Sequence, residues 1–464
     1  MKPNILFLVY DMFKAEKCYG KKKTSLTPNL DYLIKKGTYF EQAISSSDMT
    51  VTAIGTIFTG LYSIKTGIYG KKGFINKNTT DYLQNLKQNG YSIYMTVPDV
   101  HFYRKKFSGY AETNFGSFSP TGKLSLLHNG VGESILKTLS TKLDEPWFYH
   151  IHLMDLHMSP IVPNPEFDNE KFGSNHYERL VSQMDVWLGK ILQKINFDDT
   201  LIILIGDHGH YTRTVSKGEK TRVSDKRVSD SNPHTETLAN KMKPFTPKFL
   251  QKIGKKFLMK LAKEIQLIKV KLEIRSLTLS QHQKRILTAK HGGIEALLYE
   301  DLIRVPLIFS GYGIPEGKVI SKQVGTIDIF PTILELIKIE NITKNEDGLS
   351  LMPFFTGKEI NERPIFLQSG SMYDPEKGYL VGARTSNFKF FLQKKDSKLT
   401  RILYDLKNDP YELTNIVDAN PKIAAEMENF VEKIKKDAHS DNSEQITKEE
   451  EEKITEELKK LGYI

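Results

Sequence analysis

The stretch TLIILIGDHGH, residues 200–210, ends an apolar run with two side chains that are good metal ligands. The run has the length and branching of a strand buried on both faces, and it stops at Gly206. Asp207 and His208 follow directly, at the strand end where the side chains of an α/β sheet face the crevice above it. A carboxylate beside an imidazole, followed by the small Gly209, suits a divalent metal. The alternative is a loop whose Asp and His cap the next helix.

Two more predicted strands end in residues of the same kind. The run ILFLVY ends at Asp11, and the strand at residues 147–154 is followed by Asp155 and His157. Because the carboxyl ends of parallel strands share one edge of a sheet, these side chains are predicted to meet at the same crevice.

Three other histidines receive different interpretations. His150 and His152 lie within the strand at residues 147–154 and share one of its faces. We interpret both as core or interface histidines rather than as ligands. A further predicted strand at residues 91–97 leads to Asp99 and His101.

A threonine precedes the helix predicted within residues 45–62. This helix ends near Gly60, and Thr50 stands at its start. A hydroxyl there lies among free N–H groups and the positive end of the helix dipole, where an attacked phosphoryl or sulfuryl group can be held. The alternative is a plain N-cap, for which threonine is a favoured residue.

The order of elements predicts an α/β fold. Strands alternate with helices up to about residue 340, which favours a mostly parallel central sheet with helices on both faces. From about residue 360 the pattern changes to short strands at 379–383 and 388–392 and a helix at 420–437, which indicates a small C-terminal α+β subdomain. We therefore predict a main domain over residues 1–360, a subdomain over 361–437 and a charged tail over 438–464.

Composition limits the class of protein. The chain has 464 residues, 39% of them hydrophobic, enough for one large core or two smaller ones. Its one cysteine, Cys18, excludes an internal disulfide and fits a reducing compartment. Since the N-terminus has no signal-peptide pattern and no apolar run approaches a membrane span, we expect a cytoplasmic protein.

The positive charge belongs to one insert, residues 211–290. The span 210–290 holds 20 of the 66 Lys+Arg residues and 6 of the 56 Asp+Glu residues. Within the insert, residues 247–275 place apolar side chains on one helical face and most lysines away from it. This segment is either a surface helix packed on the domain or a basic amphipathic helix that binds an anionic membrane or polymer. No aromatic stacking pattern supports a specific nucleic-acid partner.

Taken together and in order, these motifs resemble the sulfatase family of the alkaline phosphatase superfamily. The resemblance runs from residue 3 to about 436, and its pieces are PNILFLVYD, TPNLDYLIKKGTYFEQA, IFTGLY, GDHG, HGG, LYEDLIRVPLIFSG, IDIFPTILEL, DGLSLMP and LYDLKNDPYELTNI. It implies a sulfatase-like catalytic domain over residues 1–360 and an active site that holds a divalent metal.

The resemblance also assigns roles to single residues. It implies metal ligation by Asp11, Asp207 and His208. Thr50 stands at the position of the nucleophile and is expected to be a fourth ligand of the metal. His157 matches a histidine that binds the ester oxygens or protonates the leaving group. His291, or its neighbour Lys290, matches a basic residue on the other side of the substrate, and His291 is a catalytic candidate beside His157 for protonating the leaving oxygen. His101 matches a further substrate-contacting histidine, and Asp155 is a candidate substrate-binding residue.

The departures from the family pattern concern the nucleophile. Formylglycine-dependent sulfatases need Cys or Ser followed by x-Pro-x-Arg, whereas residues 50–54 read TVTAI. Formylglycine therefore cannot form here, and relatives with a threonine nucleophile resemble phosphodiesterases, phosphonate hydrolases and phosphoglycol or phosphoethanolamine transferases. The usual second acid near the N-terminus is Met12, the usual arginine is Ile54, and a lysine expected before His101 is Asp99.

These observations predict a metal-dependent ester hydrolase in which Thr50 attacks a sulfate or phosphate ester, with phosphorus esters favoured. The mixed Asp, His and Thr ligand set suits Mn or Zn better than Ca. A second metal, bound by Asp155, His157 and His291, is an alternative to a single metal. The expected partner is a small or polymeric anionic ester. The alternatives are a transferase, in which an alcohol replaces water, and a degenerate metal-binding protein without catalysis.

Overall fold

The computed structural model describes most of the chain, and the remaining residues are not discussed structurally. The described residues are 2–68, 81–99, 103, 112–114, 126–157, 161, 163–211, 216–217, 221–222, 279–288, 297–340, 347–358, 360–374, 378–438 and 452. The chain forms two compact units, one made of residues 1–210 and 290–464 and the other of residues 211–289. The basic segment predicted at 247–275 and most of the predicted tail lie outside the described residues.

The larger unit contains a central eight-stranded sheet. Its strand order is β10-β2-β9-β6-β1-β5-β3-β4, and β9 alone runs antiparallel to its neighbours β2 and β6 in this described sheet. The mostly parallel central sheet of the prediction is thereby confirmed. The strands are β1 Asn4–Tyr10, β2 Gly37–Ile44, β3 Ser92–Thr96, β4 Glu112–Asn114, β5 Trp147–Leu153, β6 Thr200–Gly206, β9 Arg304–Gly311 and β10 Lys318–Gly325.

Helices cover both faces of this sheet. The smaller unit has its own elements, the β7–β8 hairpin and α8. The helices are α1 Ala15–Cys18, α2 Pro28–Lys35, α3 Thr50–Thr59, α4 Ser63–Thr66, α5 Tyr82–Gln88, α6 Val131–Ser140, α7 His176–Leu192, α8 Gln281–Thr288, α9 Glu300–Ile303, α10 Ile329–Leu336, α11 Met352–Phe355 and α12 Pro421–Ala438, and the hairpin strands are β7 Ser216–Lys217 and β8 Thr221–Arg222. None of the helices in the described residues is long and apolar enough to span a membrane.

Strand β1 shows why the sheet is covered twice. Its side chains alternate between two apolar clusters, because successive residues of a strand point to opposite faces. Phe7 and Val9 pack in the cluster that includes α3, α5 and α10, whereas Leu6 and Leu8 pack in the cluster that includes α2, α6 and α7. All residues of the strand are buried, so its apolar composition follows from burial on both faces.

The C-terminal subdomain is a four-stranded antiparallel sheet packed against helix α12. The two short strands predicted from sequence lie within β12 and β13, and the helix predicted at 420–437 corresponds to α12. The sheet order is β11-β12-β13-β14, with β11 Ile365–Asp374, β12 Gly378–Arg384, β13 Phe388–Lys395 and β14 Lys398–Asp405. The small α+β subdomain is therefore present, while the exact domain boundaries remain a prediction.

The structure adds strands that the sequence pattern did not suggest. Strand β2 occupies residues 37–44, where no element was assigned, and β10 adds an edge strand beside it. Both ladders of β2 contain a register irregularity between residues 40 and 43, where the polar Glu41 and Gln42 interrupt the apolar pattern. Between the smaller unit and β9 the chain forms the short helix α9, which begins at Glu300.

Candidate active site

Two carboxylates stand side by side at the carboxyl ends of β1 and β6. The strands are parallel neighbours, and their register pairs Tyr10 with Gly206. The next residues are Asp11 and Asp207, so the pairing itself brings the two acids to one point of the crevice. Both are fully buried. The sequence prediction that these strands deliver acids to one edge is confirmed by the ladder.

His208 completes a group of three side chains that fits a metal ion. Ligand atoms of Asp11, Asp207 and His208 all lie within 4.8 Å of one another. His208 Nδ1 lies 2.8 Å from the Gly209 carbonyl oxygen, so Nδ1–H donates there, and in the neutral ring Nε2 keeps its lone pair for a metal. Asp11 Oδ1 and Asp207 Oδ2 are buried without a hydrogen-bond partner. Buried carboxylate oxygens without donors, beside an imidazole held by its second nitrogen, are what a divalent cation requires.

Thr50 is the first residue of α3, and its hydroxyl points at this group. Thr50 Oγ1 donates to Asp11 Oδ2 at 3.0 Å and lies 3.3 Å from His208 Nε2. The N-cap position belongs to Met49, whose side chain makes no capping hydrogen bond. The interpretation of Thr50 as a plain N-cap is therefore wrong. Thr50 is only partly buried, whereas Asp11, Asp207 and His208 are fully buried.

The electrostatics of the group favour an added positive charge. Burial and the adjacent Asp11 carboxylate raise the pKa of Asp207. Burial also raises the pKa of Asp11, but the nearby His152 and the charges of His157 and His208 outweigh it and leave that pKa well below its usual range. Burial lowers the pKa of His208, while Asp207 and Asp11 raise it more. A cation between the two carboxylates would remove their mutual repulsion.

Asp155 and His157, the two predicted site residues that follow β5, have different surroundings. The charge of His157 acts on Asp11, and the imidazole is buried close to the end of the strand. Asp155 instead accepts a hydrogen bond from the Leu127 backbone N–H at 3.1 Å, and its charge raises the pKa of Tyr10. These contacts do not join Asp155 to the three metal-binding candidates, so its roles as a substrate-binding residue or as a ligand of a second metal stay predictions. Burial raises the pKa of Asp155 to about 7.

Three predicted residues lie outside the described part of the chain. They are His101, Lys290 and His291, so their assignments stay predictions.

Sequence reasoning missed three residues that surround the site. His152, interpreted as a core or interface histidine, lies 3.4 Å from Asp11 Oδ2, and Tyr103 contacts the other ring nitrogen of His152. Asp48 is buried, accepts a hydrogen bond from the Gly370 backbone N–H at 2.9 Å and contributes to the raised pKa of His208. The strand register is the signal that finds His152, because it pairs that residue with Val9, two positions before Asp11.

Comparison with known proteins supports the site's family resemblance. The sequence model of the family described as Sulfatase matches residues 3–339, and a second one, described as N-sulphoglucosamine sulphohydrolase, C-terminal, matches residues 294–440. The chain is 22% identical to arylsulfatase K of Homo sapiens over 494 residues, covering 96% of this chain and 86% of that protein. It is 34% identical to choline-sulfatase of Rhizobium meliloti (strain 1021) over 128 residues, which cover 27% of this chain and 23% of that protein.

The fold is also found among solved structures. The phosphonate monoester hydrolase of Agrobacterium radiobacter superposes with a TM-score of 0.61 at 16% identity, covering 94% of this chain and 96% of that chain.

Proposed function

The chain belongs to the sulfatase family of the alkaline phosphatase superfamily and is a sulfatase-like ester hydrolase, and we propose that Thr50 is its nucleophile. The observation that carries this proposal is the position of Thr50 Oγ1, 3.0 Å from Asp11 Oδ2 and 3.3 Å from His208 Nε2, at the first residue of α3.

The surroundings of Thr50 suit attack by an oxygen nucleophile. Asp11 accepts the Thr50 hydroxyl proton in a hydrogen bond, which directs a lone pair of Oγ1 away from that carboxylate. The N–H groups at the start of the ten-residue helix α3 face the same region, and the helix dipole stabilises an anion there. An anionic ester is therefore held where Thr50 can reach its central atom.

The residues after Thr50 favour phosphorus esters. Ile54, at the position where the family resemblance expects an arginine, is fully buried in an apolar cluster, so the segment lacks that cation. A threonine ester must be cleared by a second in-line attack on the same central atom, because this side chain cannot re-form a carbonyl as formylglycine does. A covalent phosphothreonine fits such a double displacement, and the similar phosphonate monoester hydrolase acts on phosphorus by its name.

A divalent metal belongs to the same proposal. Asp11, Asp207 and His208 would hold it, with Thr50 close by. One oxygen of each acid has no hydrogen-bond partner, and Asp207 Oδ2 lies 3.6 Å from His208 Nε2, which supports this assignment. When bound, such a metal lowers the pKa of a nearby hydroxyl and neutralises charge on the ester oxygens. The mixed oxygen and nitrogen ligand set favours Mn²⁺ or Zn²⁺ over Ca²⁺. His157 is proposed to hold a proton for the leaving oxygen, helped by His291.

The test compares esters and variants in one assay. We would measure the release of p-nitrophenol from its sulfate, phosphate, phosphodiester and phosphonate esters by Mn²⁺-loaded wild type, Thr50→Ala and Thr50→Ser. Thr52→Ala, on the same turn of α3, is the matched control. We expect the phosphorus esters to be preferred, Thr50→Ala to be inactive, Thr50→Ser to retain part of the rate, and mass spectrometry to find the adduct on residue 50.

Each other outcome contradicts a specific part of the proposal. Preference for the sulfate ester would refute the argument about clearing a threonine ester. Equal rates for wild type and Thr50→Ala would refute the assignment of Thr50 as the nucleophile. An added alcohol that becomes the main product ester would show transfer rather than hydrolysis, and metal binding without turnover of any ester would show a non-catalytic protein.

A further inference from the structure

His152 contacts the first predicted metal ligand from the neighbouring strand. It lies on β5, paired in register with Val9 on β1, so its side chain shares the sheet face of Asp11 two positions further along. His152 Nε2 is 3.4 Å from Asp11 Oδ2, and both side chains are fully buried. This distance is within ion-pair range, although Nε2 makes no hydrogen bond of standard geometry with the described residues. This contact has no part in the function proposed above.

Tyr103 contacts the opposite nitrogen of the same imidazole. Its hydroxyl oxygen lies 2.5 Å from His152 Nδ1, and Tyr103 is fully buried. When the tyrosine hydroxyl donates to Nδ1, the ring hydrogen of a neutral imidazole must sit on Nε2. Nε2–H then faces Asp11, so the tyrosine selects the tautomer that offers a donor to the carboxylate.

The two oxygens of Asp11 have different surroundings as a result. Oδ2 accepts from Thr50 at 3.0 Å and lies near His152 Nε2, whereas Oδ1 is buried without a hydrogen-bond partner. We propose that Tyr103 and His152 are positioning residues that keep Asp11 Oδ2 directed at the nucleophile and leave Oδ1 for the metal. The inference rests on the metal site of the proposed function.

His150 provides an internal contrast on the same strand and face. It is also fully buried, but its ring packs among aromatic rings, with centroid distances of 5.5 Å to Phe7 and 5.2 Å to Phe58. Two residues along, His152 reaches the end of the strand, where the carboxylate stands. The same residue type therefore has a packing role at one position and a positioning role at the next.

The experiment measures Mn²⁺ binding by titration calorimetry on the full-length protein. We expect His152→Leu to weaken Mn²⁺ binding by about 10- to 100-fold and Tyr103→Phe by somewhat less, about 3- to 10-fold. His152→Gln, whose amide can still donate to Asp11, should recover most of the affinity. The matched controls are His150→Leu and Tyr149→Phe, the latter losing a buried hydroxyl contact of 2.8 Å with Thr96.

The controls separate positioning from general stability. The two control variants should lower the melting temperature yet change the Mn²⁺ dissociation constant by less than about twofold. Tyr103→Phe should weaken Mn²⁺ binding and, in addition, lower kcat with little change in KM. If His152→Leu fails to fold, Tyr103→Phe and His152→Gln decide the question. Wild-type affinity in Tyr103→Phe, or equal losses in the His150 and His152 variants, would overturn the inference alone. The metal site itself would be overturned if wild-type protein did not bind Mn²⁺, or if it bound Mn²⁺ equally well after Asp11→Asn.

Discussion

Two clusters of buried charge in the larger unit differ in how their carboxylates are satisfied. The site cluster contains Asp11, Thr50, Asp207 and His208, at the ends of β1 and β6. The ion-pair cluster contains Glu300, Arg384, Lys389 and Glu412, where α9 meets β12 and β13. In the ion-pair cluster Lys389 Nζ lies 2.8 Å from Glu300 Oε1 and 2.7 Å from Glu412 Oε1, and Arg384 Nη2 lies 2.9 Å from Glu300 Oε2.

The difference separates a structural cluster from a binding cluster. In the ion-pair cluster all four carboxylate oxygens have donors, the last being the Glu300 backbone N–H to Glu412 Oε2 at 2.9 Å, and the two acids balance the two bases. In the site cluster one oxygen of Asp11 and one of Asp207 have no hydrogen-bond partner. Buried charge persists when it is paired, so the unbalanced cluster is the one that needs a ligand.

The largest expected effect is on activity, at the site cluster. Asp207→Asn should lower kcat/KM by at least about a thousandfold, because it removes a carboxylate of the metal site. The metal-free protein should melt at the same or a higher temperature, since the amide ends the repulsion that raises the pKa of Asp207. Ester hydrolysis with Mn²⁺ and melting in a chelator measure the two effects. If the metal-free variant melted well below the metal-free wild type, Asp207 would instead stabilise the folded protein.

The next effect is on stability, at the ion-pair cluster. Lys389→Met should lower the free energy of unfolding by about 3–5 kcal/mol, because it removes the lysine cation that lies 2.7 Å from the buried Glu412 carboxylate. Denaturant unfolding measures the loss. The control is the double variant Lys389→Met/Glu412→Gln, which should recover much of it, since the amide oxygen can still accept from the Glu300 backbone. The metal affinity of the folded single variant should equal that of wild type. A large loss of metal affinity would show that the ion-pair cluster and the site cluster are energetically coupled.

A third prediction concerns pH and Asp155, which has a backbone donor but no paired cation in its described contacts. Its pKa is raised to about 7 by burial, so between about pH 4 and pH 7 the folded state binds one more proton than the unfolded state. Stability should therefore fall as pH rises through this window, by up to about 1.4 kcal/mol per pH unit. Asp155→Asn, which still accepts from Leu127, should match wild type near pH 4 and exceed it above pH 7.

Unfolding at a series of pH values tests this third prediction. The difference between the two proteins isolates Asp155 from other titrating groups. A difference that does not change with pH would mean that Asp155 is ionised in the folded protein throughout the range.

The same contrast explains how much of the site could be predicted from sequence. Asp11, Asp207 and His208 follow apolar runs directly, so local pattern locates them, and parallel pairing with equal register does the rest. His152 sits inside its strand, and only the register with β1 shows that it reaches Asp11. Tyr103 is far from His152 in sequence, and no periodicity relates the two. Contacts that depend on which strands are neighbours cannot be predicted from the pattern of any single segment.

The fold was predictable to a similar depth. Alternating buried strands and helices predict a mostly parallel sheet, because burial on both faces leaves an apolar run in the sequence. The antiparallel direction of β9 leaves no such mark, since an apolar run reads the same in either direction. Strand β2 was overlooked because Glu41 and Gln42 interrupt its apolar residues, and the register irregularity there shows how the sheet accommodates them.

The smallest expected effect comes from a charge pair outside both clusters, and it tests whether burial or pairing sets the size of the others. Arg401 Nε and Nη2 each lie 2.8 Å from an oxygen of Glu428, but the two side chains are 51% and 21% exposed. A double-mutant cycle with Arg401→Gln and Glu428→Gln should give a coupling energy below about 1 kcal/mol, falling as salt is added, because water already solvates both groups. If this coupling approached the loss in Lys389→Met, pairing geometry alone would explain the ion-pair cluster. The argument from unpaired buried oxygens to a metal site would then lose its energetic basis.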